Sequence, residues 1–182
     1  LRRSRGLGDV YKRQMKFSRC KVQNAIGQKL AHSHLGKSRR IPKASTLSES
    51  DVRDLVEAGV DHVEVVIAEA FDVIEDIVAE RLIGQMDWKN CRAERANGGR
   101  FNIYAICDGL IHFEREQVDS FNSISEEITL ATVLPNTPVQ AGDHVATLKI
   151  IPFYVHNKFV DEAERFLQSM TVSVMPWLTD LR

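Results

Sequence analysis

The sequence predicts an α/β fold of the mixed α+β kind, with short sheets and about four helices. Segments whose apolar residues recur at helical spacing are interspersed with segments that alternate between polar and apolar residues. Glycine and proline punctuate the chain between these segments. The 182 residues are 43% hydrophobic and 27% charged, which is typical of one globular domain, with room for part of a second. This composition excludes a collagen-like or disordered chain, and no apolar run approaches the roughly 18 residues of a membrane-spanning helix.

Four segments have the pattern of helices. They cover residues 49–58, 72–83, 114–121 and 157–169. Serines around Glu49 can accept the unpaired N–H groups of the first helix, and Gly59 is placed to end it. In the second segment Ile77 belongs to the apolar spacing, and acidic residues crowd the first turns. Asn157 is the expected N-cap of the fourth helix.

Five further segments have the composition or alternation of strands. They cover residues 60–66, 88–96, 101–107, 144–153 and 171–175, and the second of them, which is more polar, is expected to be an outer strand. The first part of the chain, residues 17–35, is open between a strand and a short helical turn followed by a loop. Residues 125–134 are open between helix and strand, and Pro135 ends them.

The charge of the chain is unevenly distributed. Residues 1–14 hold five basic residues and one acid, so that removing them from the totals of 24 and 25 leaves 19 basic and 24 acidic residues, a net charge of −5. The peptide LRRSRGLGDVYKRQ resembles translated sequencing-library adapter of the kind fused to genes in metagenomic assemblies, and Met15 then follows as a natural start. We expect residues 1–14 to be a non-native extension; the alternative is a disordered basic tail. The acidic remainder argues against nucleic-acid binding.

Single residues with potential chemistry do not assemble into a complete catalytic set. Three cysteines, odd in number and widely spaced, argue against a disulfide framework and favour a reducing cytoplasm. His32 and His34 have a spacing seen in metal sites, but no further ligand motif accompanies them, so no metal is predicted. Cys91 and Cys107 are expected to be structural thiols. The glycine-rich nucleotide loops and the GxSxG nucleophile motif are absent from the sequence.

Two short motifs leave alternatives open. Residues 97–100, Asn-Gly-Gly-Arg, suit a tight hairpin, which is the favoured interpretation, but two glycines and an arginine also suit an anion. Lys149 stands among apolar residues of a predicted strand. It either faces solvent on the alternating side, which is favoured, or points into a cleft where it neutralises a phosphate.

Six segments in fixed order carry a family resemblance. They are AIGQKLAHSH (25–34), TLSESDVRDLVEAGVDHVEVV (46–66), DVIED (72–76), GGRFNIYAICDGL (98–110), FNSISEEITLATVL (121–134) and AGDHVATLKIIPFYV (141–155). Together they resemble the N-terminal region of bacterial molybdopterin-binding proteins. That family is linked to molybdenum-cofactor biosynthesis, and some of its members are fused to a molybdenum cofactor cytidylyltransferase. The resemblance covers residues 15–182.

The resemblance implies a domain organisation. Residues 15–156 would be the N-terminal domain, and residues 157–182 a helix and linker strand leading into a second, pterin-binding domain that the chain lacks. On this view the chain is truncated before its main ligand-binding domain. Whether the fragment catalyses a reaction stays open, although the full-length protein could be a nucleotidyltransferase.

The resemblance also implies a ligand, its contacts and its partners. The ligand would be a phosphorylated pterin, molybdopterin or its nucleotide form, contacted by polar and cationic side chains at matching motif positions. These are His32, Arg100, Asn102, Thr129, Thr132 and Lys149. Molybdoenzymes or a fused transferase domain are the implied protein partners, in the cytoplasm, with no nucleic acid and no membrane. Two alternatives stay open: a docking or regulatory region of a fused cytidylyltransferase, and a structural domain that forms a homo-oligomer.

Overall fold

The structure, a computed structural model, describes residues 16–177 and contains, within that range, four α-helices and fifteen strands in five sheets. Of the described residues, 25% are helical and 40% are in strands, which confirms the predicted mixed α+β class. It divides into two units between residues 68 and 69. The proposed adapter-derived extension, residues 1–14, lies outside the described residues.

The first unit is a small three-stranded sheet with one helix. Its elements are β1 (Lys16–Lys21), a single 3-10 turn (Val22–Asn24), β2 (Lys29–Leu30), β3 (His34–Leu35), β4 (Arg40–Ile41), α1 (Glu49–Glu57) and β5 (His62–Ile67). Strand β5 lies between β1 and β2, antiparallel to both, and β3 pairs with β4. Residues 17–35 therefore contain both of the expected alternatives, a strand and a short helical turn, with two further short strands.

Helix α1 begins where the serines predicted it. Ser48 is the N-cap: its hydroxyl accepts the N–H of Asp51, whose carboxylate in turn accepts the Ser48 N–H at 2.9 Å. Leu55 is fully buried in the core of this unit, whereas Val56 is 43% exposed because it lies at the edge of the apolar stripe. The residue after the helix cap is Gly59 with φ +79°, as the terminator prediction requires.

The second unit contains the remaining elements. They are β6 (Asp72–Ile74), α2 (Glu75–Ile83), β7 (Asp87–Lys89), β8 (Cys91–Ala96), β9 (Arg100–Ala105), β10 (Gly109–His112), α3 (Arg115–Asn122), β11 (Ile128–Thr132), β12 (Pro138–Val139), β13 (His144–Ile150), β14 (Tyr154–His156), α4 (Asn157–Leu167) and β15 (Thr171–Pro176). One antiparallel sheet has the order β11-β13-β9-β8, a second sheet has the order β12-β10-β15-β7, and β6 pairs with β14. The strand interpretation of residues 125–134 is the one observed, as β11.

The second predicted helix starts later than expected. Residues 72–74 pair with Tyr154–His156 instead, and the N–H of Glu75 donates to the Phe153 carbonyl at 3.0 Å. This pairing provides hydrogen-bond partners for the backbone N–H and C=O groups of residues 72–74. In a longer helix these groups would need partners within the helix. Within α2 the side chains of Val78 and Leu82 are fully buried, but Ile77 is 50% exposed, so its predicted inward position is wrong.

Residues 88–96, expected to form an outer strand, form two edge strands instead of one. Asn90 adopts a left-handed conformation, φ +55°, and divides the segment into β7 and β8, which belong to different sheets. The Asn90 side-chain amide donates to the Val174 carbonyl at 2.9 Å, which holds this corner against β15. Asparagine tolerates the left-handed region better than most residues do, and this makes position 90 a favourable place for the corner.

The C-terminal helix and strand are integral parts of the second unit. His156, rather than the predicted Asn157, is the N-cap of α4, because its Nδ1 accepts the N–H of Lys158 at 3.2 Å. Strand β15 lies between β10 and β7, with Val172 and Val174 fully buried. The predicted boundary between residues 156 and 157 thus differs from the one that the structure has, since a strand predicted to be a linker forms the interior of a sheet. No helix in the described range is long and apolar enough to cross a membrane.

Candidate functional site

The sheet β11-β13-β9-β8 has one face on the core and one face covered with polar side chains. Leu130 of the edge strand β11, Leu148 of β13 and Ile103 of β9 are buried. Because side chains alternate across a strand, the residues between them lie on the opposite face. We call this opposite face the polar face. Its polar members are Thr129, His144, Thr147, Lys149, Arg100, Asn102, Tyr104, Arg92 and Glu94, and Ala131 and Ala96 lie on the same face.

Two cations lie side by side in the polar face. Lys149 of β13 pairs in register with Thr129 on one side and with Arg100 on the other. Both cations are exposed, and neither forms an ion pair with any residue in the described range. Like charges directly opposite on neighbouring strands destabilise a sheet. A bound anion would remove this repulsion, so the pair is a candidate phosphate site.

The next row of the polar face is hydrogen-bonded within itself. Thr147 lies opposite Asn102, and its hydroxyl donates to Asn102 Oδ1 at 3.2 Å. The ring Nε2 of His144 lies 2.9 Å from the same hydroxyl. The amide nitrogen of Asn102 makes no hydrogen bond to a residue that the structure describes, so its two N–H groups are available to a ligand.

The far end of the polar face is aromatic. The ring centroids of Tyr104 and His144 are 5.3 Å apart. The Cζ atom of Arg92 lies over the tyrosine ring, 5.0 Å from its centroid. Arg92 is also paired with Glu94, so its charge is already balanced. Tyr104 follows Arg100 by four residues on one strand, a separation of about 13 Å at the usual rise per residue. The face therefore has a cationic end and an aromatic end, joined by the Asn102 amide.

The hairpin interpretation of residues 97–100 is confirmed. Strands β8 and β9 are joined there, with Ala96 opposite Arg100 and with φ values of +71° at Gly98 and +60° at Gly99. The Gly99 N–H donates to the Asp76 carboxylate at 2.9 Å. That backbone group is therefore occupied by a side chain of α2, which leaves the Arg100 side chain to contact a ligand. Lys149 likewise lies on the exposed side of its strand, the favoured alternative.

Four of the six predicted contacts share the polar face: Arg100, Asn102, Thr129 and Lys149. Thr132 does not, because it lies an odd number of residues from Thr129 and so projects from the other side of β11. His32 belongs to the first unit, where its Nε2 lies 2.9 Å from the Glu64 carboxylate. The structure places four of the residues on one face of a sheet, whereas Thr132 lies on the opposite face of that sheet and His32 belongs to the other unit.

Several members of the polar face were not anticipated from the sequence, namely Tyr104, His144, Thr147 and Arg92. The alternation of residues 144–153 could have indicated Thr147, which is two residues from Lys149. The others depend on the pairing of β9 with β8 and β13, including the register shift between His144 and Ala146, which local sequence does not specify.

Two other residues of the second unit with potential chemistry, Arg81 and Cys91, have structural roles. Arg81 of α2 donates to Glu164, Asp161 and Asn157 of α4, and the hydrogen bond with Glu164 is the main reason that its pKa is raised. Burial raises the pKa of Cys91 to about 11, in line with its predicted role as a structural thiol. Residues 16–177 contain no group of three or more His, Cys, Asp or Glu side chains placed to hold a metal ion.

A comparison with protein families finds a match in the first unit. A family described as a domain of unknown function (DUF8806) matches residues 19–67, a little over a quarter of the chain and nearly all of the described part of the first unit. No curated protein and no solved structure matches the chain.

Proposed function

We propose that this protein binds a phosphorylated pterin, molybdopterin or its nucleotide form, on the polar face, as part of molybdenum-cofactor biosynthesis. The observation that carries the proposal is the unpaired cation pair, Lys149 beside Arg100, with Thr129 next to it. The sequence resemblance supplies the identity of the ligand, and the side chains supply the chemistry. The proposal is one of binding and assigns no reaction.

The cationic end is suited to the phosphate. A guanidinium can bind two phosphate oxygens at once, and an ammonium provides a mobile point charge beside it. The Thr129 hydroxyl, on the other side of Lys149, can donate to a third oxygen. Binding of a dianion would also relieve the repulsion between the two cations. The free energy of binding is therefore more favourable than the direct contacts alone would make it.

The middle and the aromatic end are suited to the pterin. A pterin is a flat ring with donors and acceptors along one edge, and the Asn102 amide nitrogen is free to donate to an acceptor there. Tyr104 and His144 can pack a ring face or a ring edge against the pterin. These two rings are as far from Arg100 as an extended phosphorylated ligand reaches. Polar groups thus fix the orientation, and aromatic surface contributes contact area.

The test is a titration of the whole protein with molybdopterin under anaerobic conditions, followed by pterin fluorescence. Arg100→Ala and Lys149→Ala should each weaken binding by about tenfold or more, the scale of one lost hydrogen bond to a charged group. Lys89→Ala is the matched control, because Lys89 is an exposed lysine of the other four-stranded sheet that already pairs with Asp87 at 3.2 Å. Unchanged affinity in both polar-face variants would contradict the proposal.

We also propose a cytoplasmic location. The three cysteines of the described range, Cys20, Cys91 and Cys107, are all free thiols, as is usual in a reducing compartment.

A further inference from the structure

The first unit contains an open cleft that the proposed function does not use. Its volume is about 320 Å³, at the lower end of the range for small-molecule sites. The polar residues that line it are Arg19, His32, Ser33, His34, His62 and Glu64. All of them fall within the segment that matches the family of unknown function.

The cleft is built on the outward side of the sheet of the first unit. Arg19 of β1 lies directly opposite Glu64 of β5, and His62 lies two residues before Glu64 on the same side of that strand. Lys21 is the cross-strand neighbour of His62 and adds a second cation beside the cleft. The rest of the lining comes from the segment that follows β2, where the Ala31 N–H donates to the Glu64 carbonyl at 2.9 Å: His32 and Ser33 of this segment, and His34 at the start of β3.

The hydrogen-bond donors and positive charges of the cleft outnumber the acceptors and negative charges that are paired with them. Its one carboxylate, Glu64, is engaged by His32 at 2.9 Å. Arg19 and Lys21 form no ion pair with residues in the part of the chain that the structure describes. The Ser33 hydroxyl accepts a hydrogen bond from Arg40 at 2.7 Å, which leaves its own O–H free to donate.

These features indicate the chemical class of a ligand. A divalent metal is disfavoured, since the described residues contain no group of three or more His, Cys, Asp or Glu side chains placed to hold one. An anion suits the surplus of donors: the Arg19 guanidinium can bind two oxygens, and imidazole N–H groups and the Ser33 hydroxyl can bind others. We propose that this cleft binds a small phosphate dianion, either inorganic phosphate or the phosphate group of a small metabolite.

This site is distinct from the polar face, because it lies in the other unit and shares no residue with it. His32 is a lining residue of this cleft. The two proposals can fail separately, since the polar-face variants leave every cleft residue unchanged.

The experiment is a titration of the whole protein with inorganic phosphate at constant ionic strength, followed by the ring resonances of its histidines in NMR spectra. We expect His32, His34 and His62 to shift with one saturating curve, whereas His112 and His156 of the second unit serve as internal references. His144 lies on the polar face and reports any phosphate bound there. The resonances therefore separate the two sites in one measurement.

Three variants sharpen the test. Arg19→Ala should weaken phosphate binding by about tenfold, the scale of one charged hydrogen bond, and Glu64→Gln should tighten it severalfold because it removes a like charge. Arg53→Ala, which removes an exposed arginine of α1 outside the cleft, should have no effect. A titration with glycerol 3-phosphate then compares a phosphate monoester with the free ion.

Four outcomes would overturn the proposal. They are cleft histidines that do not move in tens of millimolar phosphate, equal shifts of all the histidines, a Glu64→Gln variant that binds more weakly, and saturation by zinc but not by phosphate. Loss of the cleft shifts in Arg19→Ala, with their retention in Lys149→Ala, would support the cleft and leave the pterin proposal to its own titration.

Discussion

Cys91 is half-buried beside Cys107, and this position controls its chemistry. Burial is the main cause that raises the pKa of its thiol to about 11, and the neighbouring thiol adds to the shift. The thiolate is the nucleophilic form of cysteine, so a raised pKa lowers reactivity at neutral pH. A sulfur in this position packs as a small apolar group.

We expect Cys91 to be slow to react with iodoacetamide at pH 8. The shift from the ordinary value of 9.0 to about 11 reduces the thiolate fraction by about a hundredfold. Mass spectrometry of the peptide that contains Cys91 gives the rate in the native protein, and the same protein unfolded in guanidinium gives the reference. The rate in the native protein should rise as the pH approaches 11. Equal native and unfolded rates at pH 8 would show that the thiol is not protected.

The hairpin between β8 and β9 contains two glycines with different structural roles. Both have positive φ, +71° at Gly98 and +60° at Gly99. A Cβ at Gly98 would meet nothing within 4 Å, whereas one at Gly99 would lie 2.9 Å from the Glu75 Cβ and 3.0 Å from the Ile150 Cβ. Gly99 is therefore needed for close packing against α2 and β13 as well as for its backbone conformation.

This difference predicts unequal effects of two neighbouring substitutions. Gly98→Ala should lower the free energy of unfolding by about 1 kcal/mol, the cost of placing a side chain in the left-handed region. Gly99→Ala should cost about 1–3 kcal/mol more, because overpacking is added to the same backbone cost. Urea unfolding at equilibrium measures both values. Equal losses would mean that α2 moves away from the hairpin without cost.

Each of the two units has its own cluster of buried apolar side chains. The cluster of the first unit includes Leu30, Leu55 and Val63, and that of the second includes Ile103, Leu148 and Val174. A segment with its own hydrophobic core can in principle fold alone, and one of about 110 residues buries enough surface to do so.

We expect a fragment of residues 69–177 to fold by itself. Trp88, whose indole N–H donates to the Ile83 carbonyl at 3.3 Å, reports native packing through its fluorescence, and circular dichroism reports the secondary structure. In this fragment Ile103→Ala should lower the free energy of unfolding by about 2–5 kcal/mol, since Ile103 is fully buried. A non-cooperative thermal transition of the fragment would contradict independent folding.

Local signals in the sequence determined several features of this protein. The serine cap and Gly59 set the limits of α1, the two glycines set the β8–β9 hairpin, alternation identified β5, and a composition rich in strand-forming residues identified β13. These features depend on backbone preferences and hydrogen bonds within a few residues, so they can be predicted without the rest of the chain.

Only the tertiary structure decided which residues meet. Lys149 and Arg100 are 49 positions apart, and they become neighbours because β13 pairs with β9 in one particular register. Other long-range pairings place residues 72–74 in a strand beside β14 and make β15 the interior of a second sheet. A shift of one residue would move every side chain of a strand to the other face, and the choice of register depends on burial summed over distant segments. The periodicity of the sequence therefore predicted the elements, while long-range pairing formed the polar face.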